Sequence, residues 1–167
     1  ATIIFDCHDL DACRGDTVAT VFDFHPTEGG LNARTNIYYL QTSDAGQTWT
    51  TVDGQPVTLP LTTRANPALV RDYTTEGMLV YLKDLTFNSD GQPVIVYLTS
   101  HGPWAGPASG SRRRWTARWT GTEWRHQPIG ESSHNYDHGI LCIETPACWR
   151  LIAPTADGPQ PYGTGGV

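Results

Sequence analysis

Apolar and polar positions along this chain alternate in short runs, and turn-forming residues separate the runs. Thr17 to Phe24 reads Thr-Val-Ala-Thr-Val-Phe-Asp-Phe, rich in β-branched and aromatic side chains. A Gly-Gly loop follows, then Thr35 to Thr42, then a tight polar turn into Trp49 to Val52, closed by Asp53-Gly54. Leu82 to Phe87 predicts the next strand, with Asn88-Ser-Asp-Gly91 as its turn into the apolar run Pro93 to Ser100. Arg114 to Thr120 alternates and turns through Gly121-Thr122 into Glu123 to Gln127. His138 to Glu144 and Trp149 to Ala153 form a last pair, and Pro154 to Gly166 is a Gly/Pro-rich loop. The best helical stretch is Asn66 to Asp72, short and opening on Asn-Pro.

Four strands between Leu82 and Gln127 are the size of one propeller blade. The chain therefore reads as all-β, a partial β-propeller of about two and a half four-stranded blades, in units near 17–53, 82–128 and 138–167. A ring closes with four to eight blades, so the reading expects further blades in a parent chain as the partners of these. A β-sandwich is the runner-up, because it also spaces short strands regularly.

Composition supports turns over helices: 17 Gly and 12 Pro stand among 167 residues, with 6 Trp and 7 Tyr that suit strands and sugar-stacking platforms. A net charge of −6 gives no electrostatic footprint for nucleic acid, and no run is long enough to span a membrane. Lys83 is the single lysine and every other cation is Arg, which makes bidentate contacts to carboxylates. The cysteines fall as Cys7-x5-Cys13 and Cys142-x5-Cys148. Two local disulfides in an oxidising compartment and free buried thiols are the two readings of that spacing.

Five segments carry candidate chemistry. Thr42-Ser43-Asp44-Ala45-Gly46-Gln47-Thr48-Trp49 fits the Asp-box pattern, in which a turn carboxylate accepts backbone N–H groups and Gly46 supplies a positive φ. It is structural and gives Asp44 no catalytic role. Ser132-Ser-His-Asn-Tyr-Asp-His138 packs titratable and aromatic residues before a strand, which singles out His134, Asn135 and Tyr136. His134 and His138 with Cys142 and Cys148 make a minority zinc reading. No other cofactor is implied, and a structural zinc or calcium ion is the only metal role left open. His25 in Phe24-His25-Pro26, with Arg34 and Asn36 nearby, is a third group. Ser100-His101-Gly102-Pro103-Trp104 is a fourth, where Trp104 offers a sugar platform; Arg112 and Arg113 after it read as a solvated face. Tyr162 in the last loop is the fifth, either a rim residue or part of a frayed end.

Phe24-His25-Pro26, Arg34-Thr-Asn-Ile-Tyr-Tyr-Leu, the Asp-box, His134-Asn-Tyr-Asp, Trp149 to Thr155 and Gly158-Pro-Gln-Pro-Tyr162 together resemble the BNR/Asp-box repeat proteins of polysaccharide-degrading bacteria. The resemblance covers most of the chain. It implies a seven-bladed propeller in a secreted or periplasmic protein. It also implies a carbohydrate-active role like that of the ulvan-type lyases and the propeller rhamnosidase among its relatives. In such lyases His and Tyr act as acid or base, Arg or His neutralises a uronate, and some members hold a structural zinc with His and Cys. Carried over, His134 and Tyr136 are the catalytic candidates. Arg34, His25, Asn135, His101, Trp104 and Tyr162 are the substrate-binding ones. A lyase acting on acidic polysaccharide by β-elimination is the first expectation. A glycosidase of rhamnosidase or sialidase type and a non-catalytic carbohydrate-binding or scaffold propeller are the alternatives. No persuasive carboxylate pair supports the glycosidase.

Overall fold

A computed structural model of the chain describes residues 10–104, 107–132 and 134–154. The protein is all-β, a partial propeller of three antiparallel sheets. The first sheet holds β1 (Leu10–Arg14), β2 (Thr17–Phe24), β3 (Thr35–Thr42), β4 (Trp49–Thr50) and β5 (Pro56–Val57) in that order. Strand β6 (Leu69–Arg71) pairs with β3 beside this path. The second sheet is a four-stranded meander of β7 (Leu79–Phe87), β8 (Pro93–Ser100), β9 (Arg112–Trp119) and β10 (Trp124–Ser132). The third is a hairpin of β11 (Ile140–Thr145) and β12 (Cys148–Ile152). The leading strand of each sheet lies at one edge, and β7 touches both β1 and β11. Among the described residues no helix is long and apolar enough to cross a membrane.

Packing follows from the period-two alternation of each strand. Strand β8 is buried along its whole length because both faces are covered. Ile95 and Tyr97 join Val21, Ile37, Tyr39 and Val80 in the core between the first and second sheets. Val94 and Val96 face the other way, against Leu141, Ile143, Trp149 and Leu151 of the third. The far face of the first sheet carries Phe22, Tyr38 and Leu40, covered by Leu61 and Ala68. A polar chain is buried inside the first core. The Tyr73 and Tyr97 hydroxyls lie 2.7 Å apart, and the Tyr97 hydroxyl lies 2.9 Å from His126 Nδ1. Desolvation, with the Arg71 charge second, pushes the imidazole of His126 down to about 4, so it is neutral at pH 7.

One sequence expectation is corrected here, and one left open between two readings is decided. Asn66 to Asp72 is not helical, and Leu69–Arg71 is a strand against β3. The Asn66 side chain takes the Ala68 N–H at 2.9 Å, an Asx turn that competes with helix initiation. Cys142 and Cys148 are free thiols, with Cys148 exposed. Their hairpin register explains this, since Cys142 stands opposite Arg150 and Cys148 opposite Thr145. Cys7 lies outside the described residues.

Strand direction sorts the connections by end. The connections after β2, after β8 and before β11 all leave one end of the sheets, with 25–34, 101–104, 107–111 and 134–139 as their described residues. The turns at 43–48, 88–92, 120–123 and 146–147 lie at the opposite end.

Candidate functional site

The first of these ends gathers His25, Arg34, His101, Trp104, His134, Asn135 and Tyr136, which the sequence scatters over more than a hundred positions. Tyr162 lies outside the described residues. At the other end stands the Thr42–Trp49 turn. Asp44 Oδ1 accepts the Thr48 N–H at 2.9 Å and the Thr42 hydroxyl at 2.8 Å, and Oδ2 accepts the Thr48 hydroxyl at 2.6 Å. These bonds, led by the Thr48 hydroxyl, hold the carboxyl at about 2. Asp44 thus acts in the turn, remote from the clustered loops.

The segment 134–138 is built on buried anchors. Asn135 is fully buried. Its Nδ2 donates to the Tyr81 hydroxyl at 3.0 Å and to the Pro103 carbonyl at 2.6 Å, and its Oδ1 accepts from Arg112 Nε. Arg112 also donates to the carbonyls of Gly110, at 2.8 Å, and of Trp104. One guanidinium therefore ties the connection after β8 to the one before β11. This corrects the reading of Arg112 as a solvated residue. Strand alternation turns Arg112 and Arg114 inward, both 1% exposed, and leaves Arg113 outside. Asn135 keeps its polar groups on protein partners, which tie this segment to Tyr81, Pro103 and Arg112.

His134 and Tyr136 stand on this support. The Tyr136 backbone N–H donates to His134 Nδ1 at 3.1 Å, so the neutral imidazole carries its proton on Nε2. Their ring centroids are 5.7 Å apart. Tyr136 is 53% exposed and meets Tyr81 edge-on at 6.1 Å. Below them, the Arg34 guanidinium lies over the Tyr81 ring at 4.9 Å, and its Nε donates to the Leu31 carbonyl at 2.8 Å. Arg34 is 3% exposed, so Tyr81 and the 31–34 turn largely cover it. His25 Nε2 sits 2.6 Å from Oδ1 of the buried Asp23. His101 and Trp104 are exposed on the neighbouring connection.

Three further residues join this cluster: Lys83, noted in the sequence only as its single lysine, Arg114, noted only as part of the Arg run, and Tyr81, which went unmarked. Lys83 donates to the Asn135 carbonyl at 2.6 Å and lies 5.8 Å and 5.9 Å from the centroids of Tyr81 and Tyr136. Desolvation, then the charge of Arg114, pushes its ammonium down to about 8; Asp137 opposes this and Arg34 adds to it. Burial raises the Tyr81 phenol, with Arg34 working against it. Arg114 donates through Nη1 to the Pro154 carbonyl at 3.0 Å, while its buried Nε and Nη2 find no hydrogen-bond partner among the described residues. Among the described residues no group of three or more His, Cys, Asp or Glu is placed to hold a metal. His134, His138, Cys142 and Cys148 do not come together as the zinc reading requires.

The arrangement offers an imidazole N–H, a phenol and a partly accessible ammonium on one rim, with an exposed indole beside them. Such a set can donate to or take protons from a polar ligand, stack on it and neutralise an anionic substituent. Residues 13–132 match the family model described as BNR repeat-containing family member. The chain belongs to the BNR repeat-containing family. No curated protein matches it. Among solved structures, an ulvan lyase described as a new family of polysaccharide lyase superposes with a TM-score of 0.67 at 16% identity, over 90% of this chain. A second such structure, with -[GlcA(1-4)Rha3S]- bound, gives the same values. The chain spans 38% of the length of each. At that identity the likeness establishes the propeller fold, and the site's chemistry rests on its own residues.

Proposed function

We propose that this protein is a polysaccharide lyase that cleaves uronate-containing polysaccharide by β-elimination at the His134–Tyr136 rim. The observation that carries the reading is the convergence of His134 Nε2–H, the Tyr136 phenol and a cationic cluster on one end of a propeller, in a family whose fold neighbours include ulvan lyases. In the step proposed, a cation neutralises the uronate carboxylate and so acidifies the C5 proton. Tyr136, in its phenolate form and held by the His134 Nε2–H, takes that proton, the electron pair forms the C4–C5 double bond, and the C4–O4 bond breaks. The Tyr136 hydroxyl so formed returns the proton to the departing oxygen, which restores the phenolate. Arg112, Asn135 and the Tyr136 backbone N–H hold these groups in register, which is where geometric precision enters the rate.

The test is incubation of the full-length protein with a panel of uronate polysaccharides, ulvan-type glucuronate–rhamnose chains among them. New ultraviolet absorbance from an unsaturated uronate end is the expected result. New reducing ends without that absorbance, or no cleavage across the panel, would overturn the reading.

A further inference from the structure

The cation that the elimination needs was expected at Arg34, but Arg34 lies 3% exposed beneath Tyr81. Arg112 is equally closed off, with its donors on Asn135, Gly110 and Trp104. Arg113 is exposed but turns outside the cluster, and Lys83, set against Tyr81 and Tyr136, is partly open to solvent. Its placement comes from an irregularity in β7. The register against β8 shifts between Leu82 and Asp84, so Lys83 is the unpaired residue of a β-bulge. Before the bulge, Val80 and Leu82 face the first sheet; after it, Leu85 and Phe87 do. The extra residue lets Lys83 and Asp84 both turn away from that core. Asp84 Oδ2 accepts the Leu141 N–H at 2.8 Å, and Lys83 reaches the Asn135 carbonyl.

We infer that Lys83 is the substrate-facing residue that recognises the carboxylate of an acidic sugar at this rim, with Arg114 supplying a second positive charge behind it. The inference rests on the reading of the rim as a uronate site and names the residue that makes it selective. The Asn135 carbonyl uses one N–H of the ammonium and leaves two for a ligand. The rings of Tyr81 and Tyr136 flank it and bound the direction from which a ligand arrives. Arg114 has Nε and Nη2 buried without hydrogen-bond partners among the described residues, and its charge acts on Lys83. Two cations held close oppose one another, and a carboxylate bound at Lys83 relieves that repulsion. Asp137 is the acidic group acting on both, and Arg34 adds to the positive side. A carboxylate also has the geometry that an ammonium can meet as a point charge, while a neutral sugar gains nothing there.

The experiment is isothermal titration of the full-length protein in a His134→Ala background, which keeps the ligand intact. The probes are a glucuronate–rhamnose-sulfate oligosaccharide and its carboxyl-reduced, still sulfated counterpart. Lys83→Met is expected to weaken the uronate ligand about tenfold or more, a loss of about 1.4 kcal/mol. It is expected to leave the reduced ligand unchanged, and Lys83→Arg is expected to retain most of the affinity. Binding of the reduced ligand reports that the variant is folded. Uronate affinity unchanged in Lys83→Met overturns the inference and leaves the uronate site standing. Equal losses on both ligands overturn it too, since they mean a sulfate contact or a structural role. If the His134→Ala parent binds neither probe, the uronate reading itself fails and the inference falls with it.

Discussion

Lys83 and Arg112 occupy the same cluster, and their surroundings give them opposite work. Lys83 keeps two donors unused and an ammonium lowered to about 8, so it is charged at pH 7 and loses its charge as pH rises through about 8. Affinity for an acidic sugar should therefore be flat below neutrality and fall through that range, whereas a neutral sugar's should not. For stability the sign is the reverse. The folded state favours the neutral amine, so its burial penalty is full below about pH 8 and is relieved as pH rises from there toward 10.5. Arg112 has its donors committed to protein acceptors. Arg112→Met is expected to cost about 2–4 kcal/mol, because bonds to a charged group are lost and buried acceptors are left unmatched. Urea denaturation checks this, and a midpoint equal to wild type would show that the connections after β8 and before β11 hold without it. Neither role was legible from residue type. The Arg112-Arg113-Arg114 run suggests a solvated face, and only strand alternation on β9, with a buried Asn135 opposite, turns two of the three inward.

At the scale of the element, turns and strands were readable where a local signal exists. The Thr42–Trp49 turn was legible because all its bonds lie within a few residues, from the Thr42 hydroxyl to the Thr48 N–H. Its carboxylate, at about 2, lies below the ordinary 3.8. The stability it contributes is present above about pH 4 and is lost as pH falls toward 2. Asp44→Asn should lower Tm at pH 7 and flatten the decline of Tm between pH 4 and 2. Identical pH profiles for variant and wild type would contradict that reading. The 66–72 stretch was misread because an Asx turn and pairing to β3 override a weak helical signal. The bulge in β7 has no local signature in Leu82-Lys83-Asp84, since its cause is the need to face the third sheet with two adjacent residues. The free thiols were likewise undecided by spacing. Hairpin register decides them, and it places Cys142 and Cys148 on different partners.

For the whole molecule, strand grouping carried the propeller reading, because blades are a repeat visible in one dimension. Whether His25, Arg34, His134 and Tyr136 share one end needed three dimensions, since strand direction alone decides which connections lie together. The central claim is that chemistry resides at that end and not at the turn end. It is tested most directly by the initial rate of unsaturated-uronate formation in the full-length protein with His134→Ala, Tyr136→Phe and Asp44→Asn. Loss of the base, or of the N–H that stabilises its phenolate, should lower kcat by about a hundredfold or more in each of the first two. Asp44→Asn, at the opposite end, should keep the wild-type rate at a temperature where it is folded. Undiminished turnover after removal of both His134 and Tyr136 would contradict the claim.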